Sequence, residues 1–259
     1  MKIDSNETRS VAAAANAPAI SATSATVPAH APRVDLYVGI HKALRALMTD
    51  TLVAVGRMDT ADDLDTAQIT HRVLELMDFC IAHLGHENEF IHTAIEARAS
   101  GASGVIARDH EGHEKEISRI ARAATGLLQL PGDARAVPAL ALYRELALFI
   151  AHNFEHMHVE ETAHNAVLWS RYTDAELVDI HNRLVASIPP AEMMFVLRWL
   201  VPFMNPAERL EMMADMQRHA PPPAFEAALE IARPHLSDIE WGKLMRGLGL
   251  PPVPGLVTV

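Results

Sequence analysis

Two stretches of the chain place a histidine four residues before a glutamate: His83 and Glu87 in HLGHENEF, and His156 and Glu160 in HNFEHMHVEE. Four residues is about one helical turn, so in each stretch imidazole and carboxylate share a helix face. That face is the apolar one. Leu76, Cys80, His83, Glu87 and Phe90 recur at helical spacing in the first stretch, and Phe149, His152, His156, Glu160 and Ala163 in the second. Turning such groups towards an interior is costly unless they are paired or ligate a metal. Two further segments add to the set: His41 shares a stripe with Tyr37, Leu44 and Met48, and His110 lies with Ile106, His113, Glu114, Ile117 and Ala121. The intervals repeat, with 42 residues from His41 to His83 and 46 from His110 to His156. Two helical hairpins on one plan would set two His/carboxylate half-sites face to face, which implies a dinuclear centre with Glu87 and Glu160 as bridges.

The donor types narrow the metal. Imidazole suits several transition metals, carboxylate bridges favour oxidised iron or manganese, and thiolate is lacking apart from Cys80. Two iron ions are the first expectation and manganese the second, while zinc has no need of bridging carboxylates. A metal-free bundle with these groups as buried ion pairs is the costlier reading.

Such a site needs helices to position it, and the chain supplies them. Segments near 33–57, 66–98, 104–129 and 137–169 carry apolar residues at the three-and-four spacing of amphipathic helices, and strand alternation is absent. Asp59 to Asp63, Ser100 to Gly104 and Leu130 to Asp133 break them apart. Long helices joined by short loops pack as antiparallel neighbours, so the expected fold is all-α: an up-down-up-down four-helix bundle over 33–172. Beyond it the texture changes to shorter helices, expected near 174–187, 190–203, 206–219, 223–234 and 238–248. Thr173 with Glu176 and Ser237 with Glu240 have capping-box spacing, and Asn205-Pro206-Ala207-Glu208 combines an N-cap, a first-turn proline and a reciprocal acid. Residues 173–259 are thus an all-helical extension, packed on or beside the bundle and ending in an extended tail from Pro251. Its methionines, Met193, Met194, Met212, Met213, Met216 and Met245 among them, read as packing surface. Residues 1–32 are Ala/Ser/Thr/Pro-rich and read as a disordered tail.

Composition excludes several function classes. The 259 residues carry a net charge of −11, the reverse of a nucleic-acid binder. No apolar run approaches a membrane span. One cysteine forms no internal disulfide, and the polar, acidic N-terminus makes a poor secretory signal, so a cytoplasmic location is expected. Self-association stays open. Eleven of the 15 histidines lie between His41 and His164. Of these, His86, His92, His158 and His164 read as off the apolar stripe, facing solvent or contacting ligands from behind. His71, His181, His219 and His235 have no companions at metal spacing. Tyr37 reads as a core aromatic or a phenol aimed at the pocket, and Cys80 as a small buried residue.

Taken together, His41 in IHKALRALM, His83 and Glu87 in HLGHENEF, His110 in DHEGHEKEI, and His156 with Glu160 in HNFEHMHVEE make the chain resemble the hemerythrin-like, or HHE cation-binding, proteins over about residues 33–169. The resemblance implies a non-haem di-iron site whose open position binds oxygen, nitric oxide or peroxide. Oxygen-carrying members use two histidines four apart on the third helix, where this chain has His110 with Glu114 or, three residues on, His113. They also use a histidine followed five residues later by aspartate on the fourth, where His156 is followed by Glu161. The expected ligands are therefore His41, His83, Glu87, His110, Glu114, His156 and Glu160, with His113, His152 and Glu161 as further candidates. Carboxylate at Glu114 would harden the site and favour peroxide, nitric oxide or oxygen-activating chemistry over oxygen carriage. The alternative expectation is a di-iron oxidase or oxygenase with an organic substrate held between the bundle and the C-terminal helices.

Overall fold

The computed structural model describes residues 33–252; the two expected tails, 1–32 and the end of the chain from 253, lie outside them. The described residues form helices joined by short loops, with no strand among them. Four rods form the bundle. The first is α1 (Val38–Arg57). The second is α2 (Asp63–His86), which continues through a π-helical turn, Glu87–His92, into α3 (Thr93–Arg98). The third is α4 (Gly104–Leu127). The fourth is α5 (Ala136–Val159), which passes through a second π turn, Glu160–His164, into α6 (Asn165–Arg171). α1 packs on α2, α2 on α4, α4 on α5 and α5 back on α1, as in an up-down-up-down bundle. None of these helices is long and apolar enough to cross a membrane.

Local chemistry explains where the rods begin and end. Asp62 accepts from the Leu64 and Asp65 backbone N–H groups and starts α2 three residues before the expected position. At the same end of the bundle, the buried Arg135 guanidinium donates to the Leu127 and Leu130 carbonyls and to Asp63 at 2.6 Å. It ties the α4–α5 connection to the start of α2. The buried stripe of α4 runs Ile106, His110, His113, Ile117, Ile120, Ala124, Leu127, alternating steps of four and three.

The C-terminal helices are α7 (Asp174–Ser187), α8 (Pro190–Leu200), α9 (Pro206–His219), α10 (Pro222–Ala232) and α11 (Asp238–Gly247). Capping boxes at Thr173/Glu176, Asn205/Glu208 and Ser237/Glu240 start α7, α9 and α11. α8 and α10 each end a few residues short of the expected limit, α10 giving way to a 3-10 turn at Arg233–His235. Two cores share α8. Val196 and Trp199 enter the bundle core beside Leu44, Leu76, Ile120 and Phe149, whereas Leu197 joins Val201, Met213, Ala228, Trp241 and Leu244 in a second core. The methionines of this region pack there too: Met213 and Met245 are buried, with Met193, Met194, Met212 and Met216 against them. α7 closes the far end of the bundle, where Leu177 and Ile180 meet Tyr37, Ile91, Ile95 and Leu168. The helices beyond Thr173 are therefore packed on the bundle and lend it core residues.

Candidate metal centre

Six side chains from four rods meet inside the bundle. α1 carries His41 and α4 carries His110. α2 delivers His83 in its last turn and Glu87 at the first position of its π turn; α5 delivers His156 and Glu160 in the same way. His41 and Glu160 have no exposed surface, and Glu87, His110 and His156 are also buried. The two carboxylates stand between the half-sites. Glu87 turns Oε1 to His83 Nε2 (3.2 Å) and His41 Nε2 (3.5 Å), and Oε2 to His110 Nε2 (3.6 Å). Glu160 turns Oε1 to His156 Nε2 (3.4 Å) and His110 Nε2 (3.7 Å), and Oε2 to His41 Nε2 (3.5 Å). Each glutamate thus offers one oxygen to each half-site, the arrangement a bridging carboxylate needs.

His110 Nε2 and His156 Nε2 lie 3.1 Å apart, within hydrogen-bond distance, but the other buried atoms aimed into this space lack protein partners. Both oxygens of Glu87 and of Glu160, together with His41 Nε2 and His83 Nε2, make no hydrogen bond. Leaving so many buried polar atoms unmatched would cost several kcal/mol, at about 1–3 kcal/mol each, without a ligand to satisfy them. Donor atoms converge within 4.8 Å in two sets: His41, His83 and Glu87; and Glu87, His110, His156 and Glu160. The residues present fit a pair of cations bridged by two carboxylates.

Two of the opposite ring nitrogens, one in each half-site, are held from behind. His41 Nδ1–H donates to Glu161 Oε1 at 3.0 Å, and Arg45 grips the same carboxylate through two donors at 2.6 and 3.1 Å. His110 Nδ1–H donates to Asn88 Oδ1 at 2.8 Å. Such bonds fix the tautomer and orient Nε2 towards the metal. The supports obey the same twofold plan, since Asn88 follows Glu87 and Glu161 follows Glu160, but one is neutral and the other charged.

Electrostatics agree with a cation site. Burial works against ionising Glu87 and Glu160, yet the surrounding imidazoles hold both carboxyls below their usual range. Burial likewise opposes charge on His41, but the hydrogen bond to Glu161 and the nearby Glu87 and Glu160 carboxylates raise it to about 9. Glu161, also opposed by burial, is held down to about 2 by His41 and Arg45. Burial, reinforced by Glu160 and Glu87, pushes the Tyr37 phenol well above its ordinary value.

Several expected ligands lie elsewhere. Glu114 is exposed, in a surface groove with Glu111, Lys115 and Arg122, because the α4 stripe steps from His110 to His113 rather than four residues on. His152 is also on the surface, with Nδ1 3.6 Å from Glu116, because the buried face of α5 passes through Asn153 instead. His113 is buried but packs its ring against His156, 4.9 Å between centroids, and Asn153 Nδ2 donates to its Nδ1 at 3.1 Å. Its nitrogens fall outside the converging sets. Burial, with His156 and His110, lowers it to about 4. Between Glu160 and Glu161 the packing decides: Glu160 faces the centre and Glu161 supports His41. Cys80 lies one turn from His83, but burial pushes its thiol up to about 12, far from the thiolate a metal needs.

Two histidines expected to lie off the stripe are inside. His92 stacks on His110, 4.8 Å between centroids, and His164 Nδ1–H donates to the Tyr37 hydroxyl oxygen at 3.1 Å. For His92 a π turn is the reason. His92 is five residues after Glu87, which in an α-helix is about 140° off the glutamate's face, whereas a π turn closes in five. His164 is only four after Glu160, and that spacing was legible. His86 and His158 do stay towards solvent.

A small cavity of about 10 Å³ adjoins the centre on the side of His83 and His156, walled by Leu44, Met48, Cys80, Leu84, Asn153 and Met157. It is apolar apart from Asn153 and the two imidazoles.

The family model described as the hemerythrin HHE cation binding domain matches residues 33–164. The chain belongs to this family. No curated protein and no solved structure matched the chain. The HHE match ends at His164, within the second π turn, so the cation-binding domain takes in every residue of the centre.

Proposed function

We propose that this HHE domain holds two iron ions, His41 and His83 binding one, His110 and His156 the other, with Glu87 and Glu160 bridging. The observation that carries the reading is the unpartnered state of both carboxylates, each facing both half-sites. Two bridging carboxylates beside the imidazoles, with no thiolate, favour iron or manganese over zinc.

We further propose that the centre takes oxygen, nitric oxide or hydrogen peroxide. When bound, the metals would supply redox-active coordination positions for such a molecule. The chain's own contribution is shape and dryness. The cavity beside His83 and His156 is close to the least space that admits one water-sized molecule, and its aliphatic and thioether walls favour a small, weakly polar guest such as oxygen or nitric oxide, with Asn153 and the two imidazoles as the polar contacts open to peroxide. An organic substrate has no room there. With Glu114 on the surface, the expected carboxylate-rich hardening does not arise: the set is four imidazoles and two carboxylates. The case for oxidant processing over reversible binding therefore rests on the charged Glu161/Arg45 support, which favours the more oxidised metal at His41.

The test is to reduce the purified protein anaerobically and record its absorption spectrum after adding oxygen, nitric oxide or peroxide in turn. A spectrum that responds to one of them supports the reading and identifies the molecule. A metal-loaded protein indifferent to all three would overturn it.

A further inference from the structure

The pair of cations does not use all the donors at the centre. One turn beyond the two glutamates, on the side away from the apolar cavity, His92 and His164 face each other at 5.3 Å between ring centroids, edge to face. Both are buried, and His92 Nε2 has no partner. A nitrogen of each and an oxygen of Glu160 lie within 4.8 Å of one another, a third converging set. The Tyr37 hydroxyl, 3.1 Å from His164 Nδ1, fixes that ring from behind as Glu161 and Asn88 fix the rings of His41 and His110. Two adjoining π turns form this set, and π turns persist where a function offsets their poorer packing.

We propose that His92, His164 and Glu160 form a third cation position, for a divalent transition metal, adjoining the pair and sharing Glu160 with it. This rests on the reading of the pocket as a metal centre. Imidazole donors and one carboxylate suit Fe(II) or Zn(II) and not the oxygen-seeking Ca(II) or Mg(II). The position adds two neutral donors and no carboxylate of its own, so like-charge repulsion from the pair makes it the weakest of the three. It fills last.

The experiment dialyses the purified, full-length, metal-loaded protein against increasing Fe(II) under argon and counts metal per chain. The wild type is expected to rise from about two to about three, and the double variant His92→Gln/His164→Gln to stop at about two with its helical circular dichroism unchanged. Equal counts in the two proteins, at two or at three, would overturn the proposal. A variant holding fewer than two would also overturn it, by showing that these histidines serve the pair. Wild-type protein with no metal at all would instead overturn the metal-centre reading beneath it. Should the variant fail to fold, wild-type crystals soaked in Fe(II) decide: an anomalous peak among His92, His164 and Glu160 supports the third position, and its absence from crystals showing the other two overturns it.

Discussion

Replacing Glu161 by Gln isolates the role of the charged support from that of the ligands. In the structure the Glu161 carboxylate accepts from His41 Nδ1 at 3.0 Å and from Arg45 at 2.6 and 3.1 Å, and its side chain is 21% exposed. An amide can still accept from His41, but it removes the negative charge that makes His41 Nε2 a stronger donor, and it turns an NH2 group towards Arg45. Loss of such a support costs metal sites about 10- to 100-fold in affinity, or about 1.4 to 2.8 kcal/mol at 1.4 kcal/mol per tenfold. The loss falls on one ion only, because the partner at His110 keeps its own support, Asn88, at 2.8 Å. Competition titration with a chromophoric Fe(II) chelator under argon separates the two binding steps. One step should weaken by 10- to 100-fold and the other by less than about threefold. The mirror variant, Asn88→Ala, should weaken the other step, by less. Equal weakening of both steps, or none, would refute the reasoning. A fall to one ion per chain in Glu161→Gln would show instead that Glu161 is a ligand.

Three other outcomes follow from the same geometry. Glu87→Ala and Glu160→Ala should each hold fewer than two metals per chain by elemental analysis; retention of two in both would remove them as bridges. Deleting residues 173–259 should give an insoluble or metal-free product, because it strips Val196 and Trp199 from the bundle core and α7 from its end; a soluble bundle with its metals intact would make those helices an add-on. Glu96 accepts from the Ser103 hydroxyl and from the Ser103 and Gly101 backbone N–H groups, which hold its carboxyl down to about 2. Its contribution to stability is therefore full above the ordinary carboxyl pKa of about 4.3 and fades as pH falls towards 2. The difference in urea midpoint between wild type and Glu96→Gln should shrink between pH 6 and pH 3, and a constant difference would contradict the assignment.

Much of this was legible in the residues because the relevant signals are local. Capping boxes, N-terminal prolines and Gly/Asp breaks act within a few residues, so the rods and the C-terminal helices fell near their expected places. His83 with Glu87 and His156 with Glu160 were legible because one helical turn separates each pair, and His41 and His110 because each lies on the apolar stripe of its helix. What escaped depended on helix phase. His92 needs a π turn that no local residue announces. Glu114 and His113 compete for one buried position, and only the alternating four-and-three stripe of α4, imposed by packing, puts His113 inside. The same competition between His152 and Asn153 is settled by the face α5 turns to its neighbours. Glu160 and Glu161 are adjacent, about 100° apart on the helix, and Arg45 on another rod fixes which points outward. Nor could spacing show that α8 belongs to two cores at once.

The central claim, a metal pair bridged by Glu87 and Glu160, is tested most directly by metal analysis of freshly purified protein together with its near-ultraviolet spectrum. The account predicts about two irons per chain and the absorption of an oxidised, bridged iron pair. No metal, or a single zinc without such absorption, would contradict it.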